Sequence, residues 1–354
     1  MVVRAYLPPE LVYECYYLMF PPSFFEPGSF VEKPAWKDIE GLTLVSKDVR
    51  EITLKFWFHV LKISDLEDWK TIVRSWNRLY KWTRVIHYSS IVYKTPRYLL
   101  EPFKRLNSLR MDLPTTHVTW EGDFDFAAPE IAQILHEGIP GNIIQHLVIV
   151  GITWLDPFVM RHLAEGLPNL QTLRLKQPLV WCGLCNTIGA PSFKTIPGKI
   201  VYEGGIGLPD GYARYLAPLR YLRSVELSVA CGEGDVDYGA LFSNSPPMMN
   251  RLPAPRPPTD NPAPVPPERK AAGWSGECEA CMTTLLEDDA FRRSWLARKE
   301  ISQNSTINGS SAYPDRPPSL RRVEWNLLEL SAAHWPGLLP FAGGTQLQNT
   351  MYWI

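Results

Sequence analysis

The residue types best suited to chemistry in this 354-residue chain sit in two short phrases, Cys182-Gly-Leu-Cys185 and Cys278-Glu-Ala-Cys281. A Cys-x-x-Cys pair can offer two thiolates to a tetrahedral zinc ion, and the glycine inside the first pair suits a tight knuckle. Compact zinc modules separate their two pairs by about 12 to 20 residues, whereas residues 186–277 intervene here. Only the tertiary fold could bring the pairs together. A redox role would need a thiol of depressed pKa beside a thioredoxin-like unit, and nothing else in the sequence points to one. The expectation is therefore that no metal is bound. On that reading Cys182 and Cys185 end a strand, and Cys278 and Cys281 lie on one helix face as small buried hydrophobes; a zinc site built from Cys182, Cys185, Cys278 and Cys281 is the alternative.

Other catalytic patterns are absent. Gly205-Ile-Gly207-Leu-Pro-Asp-Gly211 lacks the third glycine of a dinucleotide fingerprint, because Asp210 stands there, and it reads as a turn. The seven histidines (59, 87, 117, 136, 146, 162 and 334) show no His-x-x-x-His or Glu-x-x-His spacing. His59, in Phe56-Trp57-Phe58-His59, reads as an amphipathic-helix residue. No Gly-x-Ser-x-Gly, P-loop or paired-carboxylate phrase is present, so no catalytic residue and no cofactor are expected. A formal net charge of −1 leaves no cation excess for nucleic acid or anionic lipid. The sequence also lacks a basic, apolar signal-like start and any apolar run of about 18 residues. A cytosolic or nuclear setting follows, in which thiols stay reduced.

The elements that would position these residues come from a ladder. Leu170, Leu173 and Leu175 recur as Leu222, Val225 and Leu227, a displacement of 52 residues that is two steps of 26. Leu147 and Ile149 lie one step earlier, and Ile200 and Tyr202 fall one residue off the middle position. The pattern extends upstream through Leu109 and Met111 to Ile86 and Tyr88, and downstream to Leu320, Val323 and Trp325. Self-similarity at 20 to 29 residues marks a leucine-rich solenoid, one short strand and one helix or turn per repeat. With 45% hydrophobic and 21% charged residues there is apolar material for a large continuous core.

Between the strands, helices are expected at 65–83, through Leu66, Trp69, Ile72, Val73, Trp76 and Leu79, and at 155–166. The second has Asp156 as N-cap, Pro157 in its first turn, and Phe158, Leu163 and Leu167 facing inward. Pro246–Glu268 holds ten of the 33 prolines and reads as extended, solvated chain. Residues 275–300 read as helical, with Cys278, Cys281, Met282, Leu285, Phe291, Trp295 and Leu296 forming the buried stripe.

At the N-terminus, Leu7-Pro8-Pro9-Glu10-Leu11 starts a helix whose stripe is Leu11, Cys15, Leu18 and Met19 and which ends at Pro21-Pro22. Residues 23–40 read as loop, and helical periodicity returns from Leu42 to Leu61 through Val45, Val49, Ile52 and Phe56. Two short amphipathic helices must pack on each other, on the ladder or on a partner.

These residues resemble an F-box protein, whose motif opens with Leu-Pro-x-Glu-Leu and later carries a segment like Leu42-Thr-Leu-Val-Ser-Lys-Asp-Val-Arg50-Glu51. The Trp-Cys-Gly-Leu-Cys and Gly-Glu-Cys-Glu-Ala-Cys phrases look like those of fungal members. Cys15 replaces a bulkier aliphatic residue, and the connection from Phe20 to Gly41 is longer than the family's. The resemblance implies a substrate receptor of an SCF ubiquitin ligase, with Leu7, Pro8, Leu11, Cys15, Leu42, Val45 and Ile52 docking a Skp-type adaptor and the repeats binding a protein substrate. The alternative is a stand-alone leucine-rich-repeat scaffold whose N-terminal helices cap the stack. The expected architecture is thus an α/β, horseshoe-like irregular leucine-rich-repeat solenoid over 63–354, interrupted by a Pro-rich insertion at about 235–272. A small all-α F-box-like unit at 1–62 precedes it. Replacing Pro246–Glu268 with a short Gly/Ser linker should scarcely move the melting temperature, because each doubling of loop length changes closure by only about 0.6 kcal/mol; thermal denaturation checks this.

Overall fold

The computed structural model describes residues 8–20, 22–26, 33–64, 67, 70, 78–88, 100, 102–113, 141–152, 155, 157–193, 198–205, 207–233, 274–297, 316–329 and 335. It is mixed α/β, with a sheet content that is mostly parallel. The chain divides into two compact units, one comprising Met1–Ile152, Arg161–Lys176 and Pro218–Leu222, the other Thr153–Met160, Gln177–Ala217 and Arg223–Ile354.

In the first unit β1 (Val60–Ile63), β2 (Val85–Tyr88), β3 (Ser108–Asp112), β4 (His146–Val150) and β5 (Thr172–Lys176) pair in sequence order, all parallel. Alternation along each strand makes rows across them. Leu61, Ile86, Leu109, Leu147 and Leu173 form one buried row, and Ile63, Tyr88, Met111, Ile149 and Leu175 a second. The 26-residue step from Leu147 and Ile149 to Leu173 and Leu175 is therefore the physical register.

A local device recurs with each step. The N–H groups of Arg84 and Val85 both donate to His59 O, those of Asn107 and Ser108 to Arg84 O, those of Gln145 and His146 to Asn107 O, and those of Gln171 and Thr172 to Gln145 O. In the second unit Arg321 and Arg322 do the same to Arg223 O. Before the strands a tight turn repeats: Leu106 N–H donates to Phe103 O, Leu170 to Leu167 O, Leu222 to Leu219 O and Leu320 to Pro317 O. Leu106, Leu170, Leu222 and Leu320 are all buried. Among the described residues, one motif, an apolar residue three before a buried leucine that itself precedes a strand, is used four times.

The second unit contains the short β6 (Val180–Trp181), β7 (Ile188–Gly189) and β8 (Ser192–Phe193), then β9 (Lys199–Glu203), β10 (Ser224–Glu233) and β11 (Arg322–Glu329). β10 and β11 pair in parallel with Val225 opposite Val323 and Leu227 opposite Trp325, as the ladder requires. The strand at the middle 26-residue position departs from it. β9 runs antiparallel to β11, Ile200 facing Trp325 and Tyr202 facing Val323, so it is an edge strand and not a repeat strand. Its one-residue offset in the sequence is the trace of that different role.

The N-terminal helices are α1 (Pro9–Met19), α2 (Pro22–Phe25), α3 (Trp36–Ile39) and α4 (Lys47–Trp57), with a 3₁₀ turn at Glu40–Leu44. The single helix expected from Leu42 to Leu61 is broken at both ends. Ser46, in extended conformation, caps α4 by accepting from Val49 N–H at 3.2 Å. At the other end Val60 enters β1, leaving His59 in a turn instead of a helix. Part of the expected loop at 23–40 is likewise helical. Val12, Tyr16, Phe20, Phe24, Ile39, Phe56 and Val60 form the core of this region, with Tyr16 stacked on Phe56 at 5.0 Å and its hydroxyl bonded to Thr53. Lys33 Nζ donates to Val60 O at 2.8 Å while lying 4.0 Å from the Trp57 ring centre.

Further along are α5 (Leu79–Trp82), α6 (Pro157–Gly166), α7 (Asp210–Leu216) and α8 (Glu279–Glu287), followed by a helical stretch at 289–297. In α6 the inward residues are Val159, Met160, Leu163 and Ala164, while Phe158 is exposed and meets Tyr215. Leu66, Trp69, Ile72, Val73, Trp76, Asp156 and Pro246–Glu268 lie outside the described residues. Val225 is buried, so Val225→Asp should cost about 3 kcal/mol or more through an unpaired charge. Tyr221→Asp, at a 54% exposed position, should stay within about 0.5 kcal/mol. Denaturant unfolding of the two variants checks the ladder's placement.

Candidate functional site

The strongest assembly of chemically capable side chains is made by the four cysteines. The antiparallel β6–β7 pair holds Trp181 opposite Ile188 and Val180 opposite Gly189. Its turn is closed by Cys182 N–H to Thr187 O at 2.8 Å and Asn186 N–H to Cys182 O at 2.9 Å. Asn186 takes φ 58°, a left-handed conformation that asparagine tolerates. This knuckle presents Cys182 and Cys185.

The second pair arrives with the segment that follows the long insertion. Trp274 is fully buried, 5.4 Å from the Phe193 ring and 4.6 Å from the Trp325 ring; its Nε1–H donates to Glu277 O, and its own carbonyl accepts from the Tyr202 hydroxyl. The buried Glu277 carboxylate accepts from Ser275 N–H at 2.6 Å, Ser275 Oγ at 3.0 Å and Trp295 Nε1–H at 3.3 Å. Gly276 has φ 90°, and a Cβ there would lie 2.8 Å from the Trp325 ring. With this wedge fixed, Cys278 becomes the N-cap of α8 and Cys281 falls in its first turn.

All four Sγ atoms lie within 4.8 Å of one another. Cys182 and Cys281 are 3.8 Å apart, Cys185 and Cys278 3.7 Å, and Cys278 N–H points to Cys182 Sγ at 3.4 Å. The tertiary fold does bring the two pairs together across the 186–277 gap, because packing of Trp274 on Phe193 and Trp325 returns the chain to the knuckle. The four do not all behave as small buried hydrophobes. Cys182 and Cys278 are buried, Cys281 is half-buried and Cys185 is exposed. The Cys185 thiol is driven well below its ordinary pKa by hydrogen bonds from Cys182, then Cys278 and Cys281. Cys278 and Cys281 are pushed up by their contacts with Cys182 and Cys185. Four cysteine sulfurs converging within 4.8 Å are a soft donor set of the kind that holds zinc.

A second surface lies at the N-terminus. Leu11 is 52% exposed and Leu18 87%, and Cys15 between them is exposed. The Leu11, Cys15 and Leu18 stripe of α1 therefore faces outward, while Val12, Tyr16 and Phe20 make the contact with the core. Val45 at 68% and Leu44 at 77% are also exposed. Among the other residues expected to meet an adaptor, Pro8 is exposed, whereas Leu42 and Ile52 pack against the aromatic core. Leu7 lies outside the described residues. Leu44 was not singled out in the sequence; its neighbour Val45 carried the only signal.

A third group lies on the register line between the buried rows of the first unit, Lys62, His87, Arg110, Val148 and Arg174, of which His87 and Val148 are buried. Asp112 accepts from His87 Nε2 at 2.7 Å and from Arg110 Nε and Nη2 at 2.8 and 2.9 Å. Burial acts to raise the Asp112 pKa, but these hydrogen bonds outweigh it and hold the carboxyl below its usual range. His146 Nδ1 meets Thr172 Oγ1 at 2.8 Å. No protein-family model, curated protein or solved structure matches the chain. Among the described residues, no helix is long and apolar enough to cross a membrane.

Burial brings His146 and His59 down to about 4, with Arg174 and Arg84 respectively adding to the effect. Unfolded histidine titrates at about 6.5, so between these values the unfolded chain binds more protons. Stability should be fully present above about pH 6.5 and fall as pH drops towards 4. Urea unfolding across that range should show the decline, and His146→Gln should make it shallower; an unchanged slope in the variant would assign the loss to other groups.

Proposed function

We propose that this protein is the substrate-recognition subunit of an SCF-type ubiquitin ligase. Its N-terminal helices dock a Skp-type adaptor, its repeats form a leucine-rich solenoid that holds a protein substrate, and the chemistry takes place on other subunits. The observation that carries the reading is the outward apolar stripe Leu11, Cys15 and Leu18 on α1, with Leu44 and Val45 before α4. It coincides with the stretches that resemble an F-box. Apolar side chains of this size are left in water at a cost of roughly 1.5 to 3 kcal/mol each relative to burial. A partner surface accounts for their exposure.

The four-fold recurrence of the turn and strand motif supports the solenoid. Exposed Lys62 and half-buried Arg110 and Arg174 supply the first unit with polar groups by which a substrate can be read. A reducing compartment, cytoplasm or nucleus, suits both the ligase role and the free thiols.

One observation favours the capping alternative: Val60 belongs to the aromatic core and Val85 packs against it, so the helices do cover the first strands. Capping alone, however, leaves Leu18 and Leu44 without a purpose. Leu18→Asp and Leu44→Asp should each weaken adaptor binding by about 2 kcal/mol or more, roughly thirty-fold in Kd, without lowering the melting temperature. Calorimetric titration with the adaptor from the protein's own host measures this. Wild-type protein that binds no such adaptor would leave the stand-alone scaffold as the correct reading.

A further inference from the structure

We propose that Cys182, Cys185, Cys278 and Cys281 bind one structural zinc ion that fastens the end of the long insertion to the β6–β7 knuckle. A tetrahedral zinc tetrathiolate with Zn–S of about 2.3 Å has S···S edges of about 3.8 Å. The two cross-pair separations are 3.8 and 3.7 Å, and no Sγ pair exceeds 4.8 Å. Four thiols have no reason to converge at that spacing for packing alone, and disulfides would need sulfurs about 2.05 Å apart.

The surroundings are built for a compact anion-rich centre. One pair sits on a β-turn closed by two backbone hydrogen bonds. The other opens α8, where the helix dipole favours negative charge. Cys278 N–H reaches Cys182 Sγ, which links the two pairs through backbone as well as sulfur. Gly189 is required for the approach, since a Cβ there would lie 2.5 Å from Cys278 Cβ, and Glu279 N–H donates to Ala190 O just beyond it.

Selection among metals follows from the donors. Four soft thiolates in a tetrahedral set suit zinc over calcium or magnesium, which take oxygen. With every position filled by protein, no site is left open for water, so the ion has a structural and not a catalytic part. Zinc uptake would release the protons of the neutral thiols to solvent, with no change in oxidation state. Cys15 and Cys231 stand apart from the cluster and serve as internal controls.

Full-length protein, expressed with zinc in the medium and purified without chelator, should contain about one zinc per chain by elemental analysis. Cys182→Ser and Cys281→Ser should each reduce the content to a small fraction of that, while Cys15→Ser and Cys231→Ser leave it unchanged. Because a cluster variant can also fail to fold, wild-type protein exchanged with cobalt provides an independent reading. Its visible spectrum should show the intense ligand-field and sulfur charge-transfer bands of a tetrahedral thiolate site. Iodoacetamide should modify Cys185 slowly until a chelator is added and readily afterwards, with the segment 274–297 becoming susceptible to limited proteolysis at the same step. Zinc-free wild-type protein that binds no added zinc or cobalt, disulfides joining the pairs in reduced buffer, or full zinc content in both cluster variants would each overturn the proposal.

Discussion

Parallel strand pairing is the constraint from which the rest of this structure follows. Neighbouring parallel strands cannot be joined by a tight hairpin, so each pairing requires a crossover, and the hydrogen-bonding groups of one strand wait for a segment far along the chain. The device that repeats here answers that need at the first position of each strand: the carbonyl of one residue, such as Asn107 or Gln145, takes two successive N–H groups from the next strand's start. It fixes the register before the strand begins. The two buried rows then lock it, because a one-residue slip of β4 would turn Leu147 and Ile149 away from the rows they complete.

The same constraint makes crossovers the place where extra chain can be accommodated. Between β10 and β11 the crossover is very long, yet the strands meet in the ladder's register, Val225 beside Val323. What makes this tolerable is the return segment. Trp274 fills the space between Phe193 and Trp325, and the buried Glu277 carboxylate has its donors supplied by Ser275 and Trp295. A buried carboxylate with three donors orders the residues around it, since each donor lost would leave buried acceptor capacity unmet. Cys278 and Cys281 are carried into place by this wedge.

At the N-terminus the balance is different. α1 is apolar on two faces, and only one of them, Val12, Tyr16 and Phe20, is used by the aromatic core. The intervening connection is put to use as well: Lys33 covers the backbone of Val60 on the first strand, so an edge that would otherwise invite pairing is partly closed. The helices thus both shield the strand next to them and hold out a second apolar face, and the two roles are compatible because they use different sides of α1.

Period and local chemistry were enough to determine much of this. The leucine spacing set the strands at Leu109, Leu147, Leu173, Val225 and Val323 and their register, since a period-two pattern in a short strand admits one buried face. Pro9 fixed the start of α1. Sequence alone left open or misassigned what depends on partners. It left the Leu11, Cys15 and Leu18 stripe to the other helix, the ladder or a partner, because helical spacing says which residues share a face but not which of two apolar faces is covered. It read Ile200 and Tyr202 as a displaced repeat, since strand direction leaves no mark in side-chain alternation. It left the meeting of the cysteine pairs across residues 186–277 to the tertiary fold, because distance along the chain does not limit distance in space once a crossover returns. The tertiary structure decided that question through the packing of Trp274, which places four sulfurs within 4.8 Å of one another.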